Sequence, residues 1–324
     1  MRVLVTDYAW ADLSVEEGVL EGIGVELMSA PDGNEETLAR LAVGASGIMT
    51  CWAQTTRRVL EAALPDLKVV TRYGVGLDNI DVDYATARKI PVAYVPDYCM
   101  SDVAEHAMAL LLALSRKVAA FDRSVRGDVW EIQACLPLNR LTGQTLGLIG
   151  FGRIAREVAV RAAPFGLRVL TTAPSLPPGT TAPGGDEAVT LDVLLDTSDY
   201  VSIHCPSTDA TRGLIDTNAL RRMKPTACLI NTSRGDIVDE TALADALDAG
   251  EIAGAALDVR VEEPPGEGDR LIGMPQVIHT PHAAFYSAES LIELRERAAM
   301  ETRRVLQGEE PENLVNPEYR REDG

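Results

Sequence analysis

The chain has 324 residues, a formal charge of −19, 46% hydrophobic residues and only 5% aromatic ones. That length accommodates two domains with substantial cores, and cores of Ala, Val, Leu and Ile suit parallel sheets covered by helices. The acidic balance argues against nonspecific binding to nucleic acid or to an anionic membrane surface, and reads as solubility.

The opening run Met1–Asp7 enters a strand pattern at once, so no signal peptide is expected. Strands are predicted at Val3–Thr6, Gly24–Met28, Gly47–Thr50, Lys68–Thr71 and Val92–Tyr94, with helical stretches between them such as Glu35–Val43 and Thr56–Leu64. Ser101 and Asp102 are expected to cap a long helix from Val103 to about Ala120, apolar at nearly every position and therefore buried. Its longest apolar run, Ala107 to Leu114, is far too short to span a bilayer.

A second alternation begins at Thr145. Further strands are predicted at Arg168–Thr171, Tyr200–His204, Cys228–Asn231, Ala253–Asp258 and Val277–His279, and helices at Leu191–Leu195, Asn218–Met223 and Glu240–Ala249. Thr172–Asp186, rich in Pro, Gly and Thr, reads as a loop. A long helix from Ala288 to Leu306 and a polar tail from Gln307 to Gly324 close the chain. Five scattered cysteines with no CxxC pair fit a reducing compartment, hence the cytoplasm, and no metal site is expected.

The most informative segment is Thr145 to Ala155 (TLGLIGFGRIA), a short strand running into a glycine turn and then an amphipathic helix. Gly150 permits the turn, Gly152 lets the backbone approach a pyrophosphate, and Ala155 still allows helix and strand to pack closely. The helix N-terminus then presents N–H groups to phosphate anions.

Of the four histidines, His106 lies inside the apolar helix and His279 ends a strand; both read as structural. His204, ahead of Cys205-Pro206, sits past a strand end and suits a place beside a cofactor. His282, in Thr280-Pro-His-Ala-Ala284, is the best acid/base candidate because histidine titrates near neutral pH. Arg234, in Asn231-Thr-Ser-Arg-Gly235, suits a bidentate grip on a carboxylate. The pair Glu262-Glu263 offers a carboxylate to orient a histidine.

These residues fall into blocks that resemble the D-isomer-specific 2-hydroxyacid dehydrogenases over nearly the whole chain. The blocks are Arg72 to Asp81 (RYGVGLDNID), Val103 to His106 (VAEH), the fingerprint, His204 to Pro206, Asn231 to Gly235, Ala256 to Val259 with Glu263-Pro264, and Thr280 to His282. Pro281 to Ser287 is similar to the C-terminal-binding-protein branch. The resemblance implies a Rossmann cofactor domain, 100–285, inserted into a flavodoxin-like substrate domain, 1–99 plus 286–324, with the active site in the cleft between them. It implies hydride transfer between a nicotinamide cofactor and a 2-hydroxy acid/2-oxo acid pair.

By the same resemblance, Arg234 binds substrate, His282 is acid and base, and Glu263 pairs with it. Arg72 reaches the substrate, and Tyr73, Gly74, Val75 and Gly76 hold its carboxylate through backbone N–H groups. Cofactor contacts are expected from Val103, Gly150, Phe151, Gly152, Arg153, Ile154, Ala173, His204, Cys205, Pro206, Thr211, Asn231, Thr232, Ser233, Arg234, Asp258, His282 and Ala284. Asp258 is expected at the nicotinamide carboxamide and Thr232 at its ribose. Ala173 stands where the family usually has an acidic residue for the adenosine ribose, so NAD(H) is favoured and NADP(H) is admitted. The segment Phe121–Leu138, with Phe121, Val125, Trp130, Ile132, Leu136 and Leu138 among polar residues, is expected to form a homodimer arm of the cofactor domain outside any clear helix or strand. Alternative readings are an NAD(H)-sensing corepressor-like scaffold and a short-form 3-phosphoglycerate dehydrogenase.

Overall fold

The structure, a computed structural model, describes residues 1–135 and 137–320. The chain divides into two compact units. The first takes Met1–Tyr98 and the chain from Ser287 onward; the second is Cys99–Tyr286.

The first unit opens with β1 (Arg2–Val5), α1 (Ser14–Leu20), β2 (Glu26–Ser29), α2 (Glu35–Ala42), β3 (Gly47–Thr50), α3 (Arg57–Ala63), β4 (Val69–Arg72), α4 (Val82–Ala87) and β5 (Val92–Ala93). The strands pair in parallel in the order β2-β1-β3-β4-β5, the flavodoxin-like order. β3 and β4 are buried along their whole length, as strands covered by helices on both faces must be. β2 starts two residues later than its hydrophobic pattern suggests, because Gly24 adopts a left-handed φ of 69° that ends the preceding turn.

The second unit contains α5 (Met100–Ser115), α6 (Val118–Arg126), β6 (Thr145–Ile149), α7 (Arg153–Ala162), β7 (Arg168–Thr172), β8 (Glu187–Ala188), α8 (Leu191–Thr197), β9 (Tyr200–Ile203), α9 (Thr217–Arg222), β10 (Cys228–Asn231), α10 (Glu240–Asp248), β11 (Gly254–Leu257) and β12 (Val277–His279). Its seven strands are all parallel, in the order β12-β11-β10-β9-β6-β7-β8. This is a doubly wound sheet whose order reverses between β6 and β9. Both units are thus parallel-sheet α/β folds.

The long helix predicted from Val103 to Ala120 departs from expectation at both ends. It starts at Met100 with Cys99 at the N-cap, whose side chain does not cap the helix, so Ser101 and Asp102 lie in its first turn. It stops at Ser115, because Lys117 turns left-handed (φ 52°), and α6 begins after it. The stretch read as an irregular arm is therefore largely ordered: Phe121 and Val125 stand on α6, and Ile132 lies in a 3-10 turn, Ile132–Cys135. Leu136 lies outside the described residues.

The closing helix α11 (Ala288–Leu306) belongs to the first unit and starts with a reciprocal cap: Ser290 N donates to Ser287 Oγ at 2.9 Å and Ser287 N to Ser290 Oγ at 2.8 Å. The segment that follows is more than a polar tail. Val315 N donates to Val92 O at 2.8 Å and Val92 N to Asn316 Oδ1 at 2.7 Å, so it covers the β5 edge of the sheet. The last four residues of the predicted tail, 321–324, lie outside the described residues.

Candidate active site

Parallel pairing brings the C-terminal ends of β6, β7, β9, β10, β11 and β12 to one edge of the larger sheet, the edge at which open α/β sheets bind ligands. Gly150 follows β6 with φ 94°, and a Cβ there would lie 2.7 Å from the His204 carbonyl carbon and oxygen. Only glycine lets this turn pass the end of β9. A Cβ on Gly152 would meet nothing within 4 Å, and α7 begins at Arg153 with no side-chain cap. Phe151 is buried in the core, beneath the Arg156 guanidinium at 5.7 Å. Val103 is likewise buried, on α5. Ala173 follows β7 and is half-buried.

Past β9, His204 is half-buried. Its Nε2 meets Ser202 Oγ at 2.8 Å, its Nδ1 is buried with no partner among the described residues, and burial pushes the imidazole down to about 4. Burial raises the neighbouring Cys205 thiol. Thr211 shapes the loop after Pro206, donating from Oγ1 to Pro206 O at 2.6 Å.

Past β10, side chains build the turn. Asn231 Nδ2 donates to Arg234 O at 2.8 Å, Ser233 N to Asn231 Oδ1 at 3.0 Å, and Ser233 Oγ to Ile203 O at 3.1 Å. Asn231 and Ser233 are thus committed to the backbone. Thr232 Oγ1 is buried and has no hydrogen-bond partner among the described residues. An orphan hydroxyl of this kind calls for a ligand; together with the open ground at Gly152, it fits a dinucleotide on this edge. Arg234 is half-buried, with Nη1 donating to Ser233 O at 2.7 Å. A Cβ on Gly235 would lie 2.0 Å from Arg260 C, so this turn rests directly on the backbone after β11.

Asp258, 1% exposed, closes β11 and holds the loop after β12. Its Oδ1 accepts from Thr280 Oγ1 at 2.6 Å and Ala283 N at 2.8 Å, and its Oδ2 accepts from Ala284 N at 3.0 Å. His282 N donates to the Asp258 carbonyl at 2.7 Å. These bonds hold His282 at φ 52°, a left-handed backbone that costs on the order of 1–3 kcal/mol and persists only where the surroundings impose it. The Asp258 side chain is fully buried, and both its carboxylate oxygens are engaged by this loop.

His282 Nδ1 then lies 2.7 Å from Glu263 Oε2, while Glu263 Oε1 accepts from Arg260 N at 2.8 Å. Burial alone would raise the Glu263 carboxyl. The bond to His282, its charge, the Arg260 amide and the nearby Arg234 charge outweigh this and hold it below the usual carboxylate range. Arg234, Glu263 and His282, far apart in sequence, are electrostatically one group. Glu262 is exposed and takes no part in this pairing.

Two features escaped the sequence reading. Arg260 is 8% exposed and bonds Glu240 and Asp269, which fixes the segment that carries Glu263. His106, read as structural, lies 3.0 Å from Thr280 Oγ1 and so joins the Asp258 network. His279 does serve packing, with Nε2 3.0 Å from Leu271 O.

The glycine loop of the first unit is corrected in detail. Tyr73 N donates to Thr50 O and Gly74 N to Arg72 O, so those two amides are committed. Val75 N and Gly76 N have no acceptor among the described residues and can receive a carboxylate. Arg72 is 9% exposed and braces the loop, with Nε donating to Gly76 O at 2.8 Å and Nη1 to Tyr73 O. The Tyr73 ring is buried, its hydroxyl donating to Glu16, which is itself paired with Arg295 at 2.8 Å.

A doubly wound sheet with a glycine turn at its first strand and an arginine, a glutamate and a histidine at neighbouring strand ends defines a dinucleotide-dependent dehydrogenase class. Residues 108–284 match the family described as D-isomer specific 2-hydroxyacid dehydrogenase, NAD binding domain. The chain belongs to this family. It is 40% identical over 286 residues to D-3-phosphoglycerate dehydrogenase of Mycobacterium leprae, covering 88% of this chain and 54% of that protein. It is 44% identical over 264 residues to glyoxylate reductase of Korarchaeum cryptofilum, covering 80% and 79%. The chain spans about half the length of the phosphoglycerate dehydrogenases it matches. Among solved structures, the TT0316 protein of Thermus thermophilus superposes with a TM-score of 0.89 at 34% identity, over 97% of this chain and all of the other. Among the described residues, no helix is long and apolar enough to cross a membrane.

Proposed function

We propose that this chain interconverts 2-oxo acids and D-2-hydroxy acids with a nicotinamide cofactor. The observation that carries the reading is the 2.7 Å contact between His282 Nδ1 and Glu263 Oε2. With Nδ1 committed to the carboxylate, Nε2 is the ring atom that exchanges a proton with the substrate oxygen. In reduction Nε2 gives that proton to the carbonyl oxygen; in oxidation it takes the hydroxyl proton back. Arg234 offers a guanidinium fork to the acid, gripping and polarising it.

When bound, the nicotinamide donates hydride to the substrate carbon or accepts it. The turn Gly150–Ile154 would hold its pyrophosphate, and Thr232 Oγ1 its ribose. We assign cofactor binding to the Cys99–Tyr286 unit and substrate binding to the other, with the Val75 and Gly76 amides as carboxylate donors. Ala173 removes the usual ribose carboxylate, so NAD(H) is favoured by a small margin over NADP(H).

The test is turnover of a panel of 2-oxo acids with NADH and NADPH. The panel includes glyoxylate and 3-phosphohydroxypyruvate, since relatives carry the names of both activities. No turnover with any pair would overturn the enzymatic reading and leave a nucleotide-binding scaffold, the role suggested by the likeness of Pro281–Ser287 to the C-terminal-binding-protein branch.

A further inference from the structure

The clamp on the His282 loop has a member outside the sheet edge. His106 stands on α5, and its Nε2 lies 3.0 Å from Thr280 Oγ1 and 3.5 Å from Asp258 Oδ1. The Asp258 side chain is fully buried and that of His106 is 23% exposed. Thr280 has a single hydroxyl hydrogen, and at 2.6 Å it is directed to Asp258 Oδ1. That oxygen also accepts the Ala283 amide, and its partner Oδ2 accepts the Ala284 amide. The Thr280 oxygen can therefore meet His106 only as an acceptor, so the ring must carry its hydrogen on Nε2.

We propose that His106 is a positioning residue for His282: by donating from Nε2 to Thr280 it fixes the direction of the Thr280–Asp258 bond and locks the clamp that imposes the left-handed backbone of His282. The chain of contacts runs from α5 to Thr280, to Asp258, to the Ala283 and Ala284 amides that follow His282, and ends at the ring paired with Glu263. This inference rests on the assignment of His282 as acid and base, yet its hydrogen-bond content is independent of turnover. A shift of about 1 Å in a reacting group can cost on the order of 10²-fold in rate, which sets the scale of the effect.

Two measurements test it. Long-range 15N–1H correlation spectra of the wild-type protein are expected to show a hydrogen on His106 Nε2; a bare Nε2 would overturn the proposal. In kinetics, His106→Leu is expected to lower kcat about 10- to 100-fold with little change in the KM for cofactor. His106→Gln, which restores an N–H donor, is expected to recover most of that loss. Wild-type kcat in a folded His106→Leu variant, or no recovery in His106→Gln, would count against the proposal. Should His106→Leu fail to fold, the wild-type spectrum still decides. Absence of turnover in the wild type would instead sink the enzymatic reading, while the spectrum continues to test the His106 bond.

Discussion

His282 Nδ1 sits 2.7 Å from Glu263 Oε2, and that carboxylate is tied by its other oxygen to the Arg260 amide. The imidazole is thus oriented by a group that is itself anchored to the backbone, which leaves Nε2 as the nitrogen to which we assign proton transfer. His282→Ala is expected to lower turnover by about 10²- to 10⁴-fold, the usual worth of a general acid/base. Cofactor affinity, measured by fluorescence titration, should stay nearly constant. Near wild-type turnover in this variant would remove His282 from the mechanism.

Glu263 is held below the usual carboxylate range, so it is ionised through the neutral region. Glu263→Gln should lower kcat by up to about 10²-fold, because the carboxylate that orients His282 Nδ1 is lost. The pairing also bears on stability. A depressed folded-state pKa contributes stability that is present above the carboxyl's ordinary value of 4.5 and lost as pH falls through the lower folded value. Melting curves of wild type and Glu263→Gln should converge in that acid window; curves that stay parallel would argue against the pairing.

His204 titrates with the opposite chemistry. Its folded value of about 4 lies below the ordinary 6.5. Between those two pH values the unfolded chain takes up a proton that the native ring refuses. Stability is therefore lost as pH falls through this range, by up to about 3 kcal/mol at roughly 1.36 kcal/mol per unit. His204→Gln should show a shallower decline in Tm from neutral pH to pH 4. An identical decline in both proteins would show that His204 is not the group responsible.

Ala173 follows β7 where a carboxylate would bind the adenosine ribose and repel a 2′-phosphate. A hydrogen bond to a charged group is worth about 1.5–3 kcal/mol, so we expect its absence to weaken the choice between cofactors without reversing it. Ala173→Asp should raise the ratio of kcat/KM for NADH over NADPH by about 10- to 100-fold. An unchanged ratio would place the choice at another residue.

The face of α6 and the segment after it exposes Val125 at 44%, Trp130 at 85% and Ile132 at 67%. Apolar groups this exposed along one segment fit a surface that meets a second copy. We expect a dimer by light scattering at micromolar concentration, and Trp130→Glu should shift it toward monomer. A monomeric wild type would set the arm reading aside.

The sequence disclosed the parts of this protein that follow from local chemistry. The β6 turn needs glycines at 150 and 152 whatever surrounds it, and the alternation of strands and helices already implied parallel sheets. Arg234, Glu263 and His282 were legible because each follows a strand end of one sheet. What stayed hidden depends on contacts across the fold. Lys117 breaks the long helix in a left-handed conformation without a glycine or proline to announce it. His106 looked like core because its neighbours are apolar, and only the approach of Thr280 gives it a polar role. Arg72 was expected to reach the substrate, but the loop it precedes curls back to occupy it. Whether the Tyr73 and Gly74 amides are spent is decided by the Thr50 and Arg72 carbonyls, which no periodicity reveals.

The union of β5 with Val315 and Asn316 has a practical side. β5 is only two residues long and ends its sheet, so its outward amide and carbonyl would otherwise offer hydrogen bonds to any passing strand. The chain's own final stretch silences that invitation. Shortening the protein ahead of Leu314 would leave α11 in place, yet strip Val315 from the core of the first unit and turn a closed border into a template for chain-to-chain pairing. Such a truncation should betray itself first as aggregation, before any loss of helix.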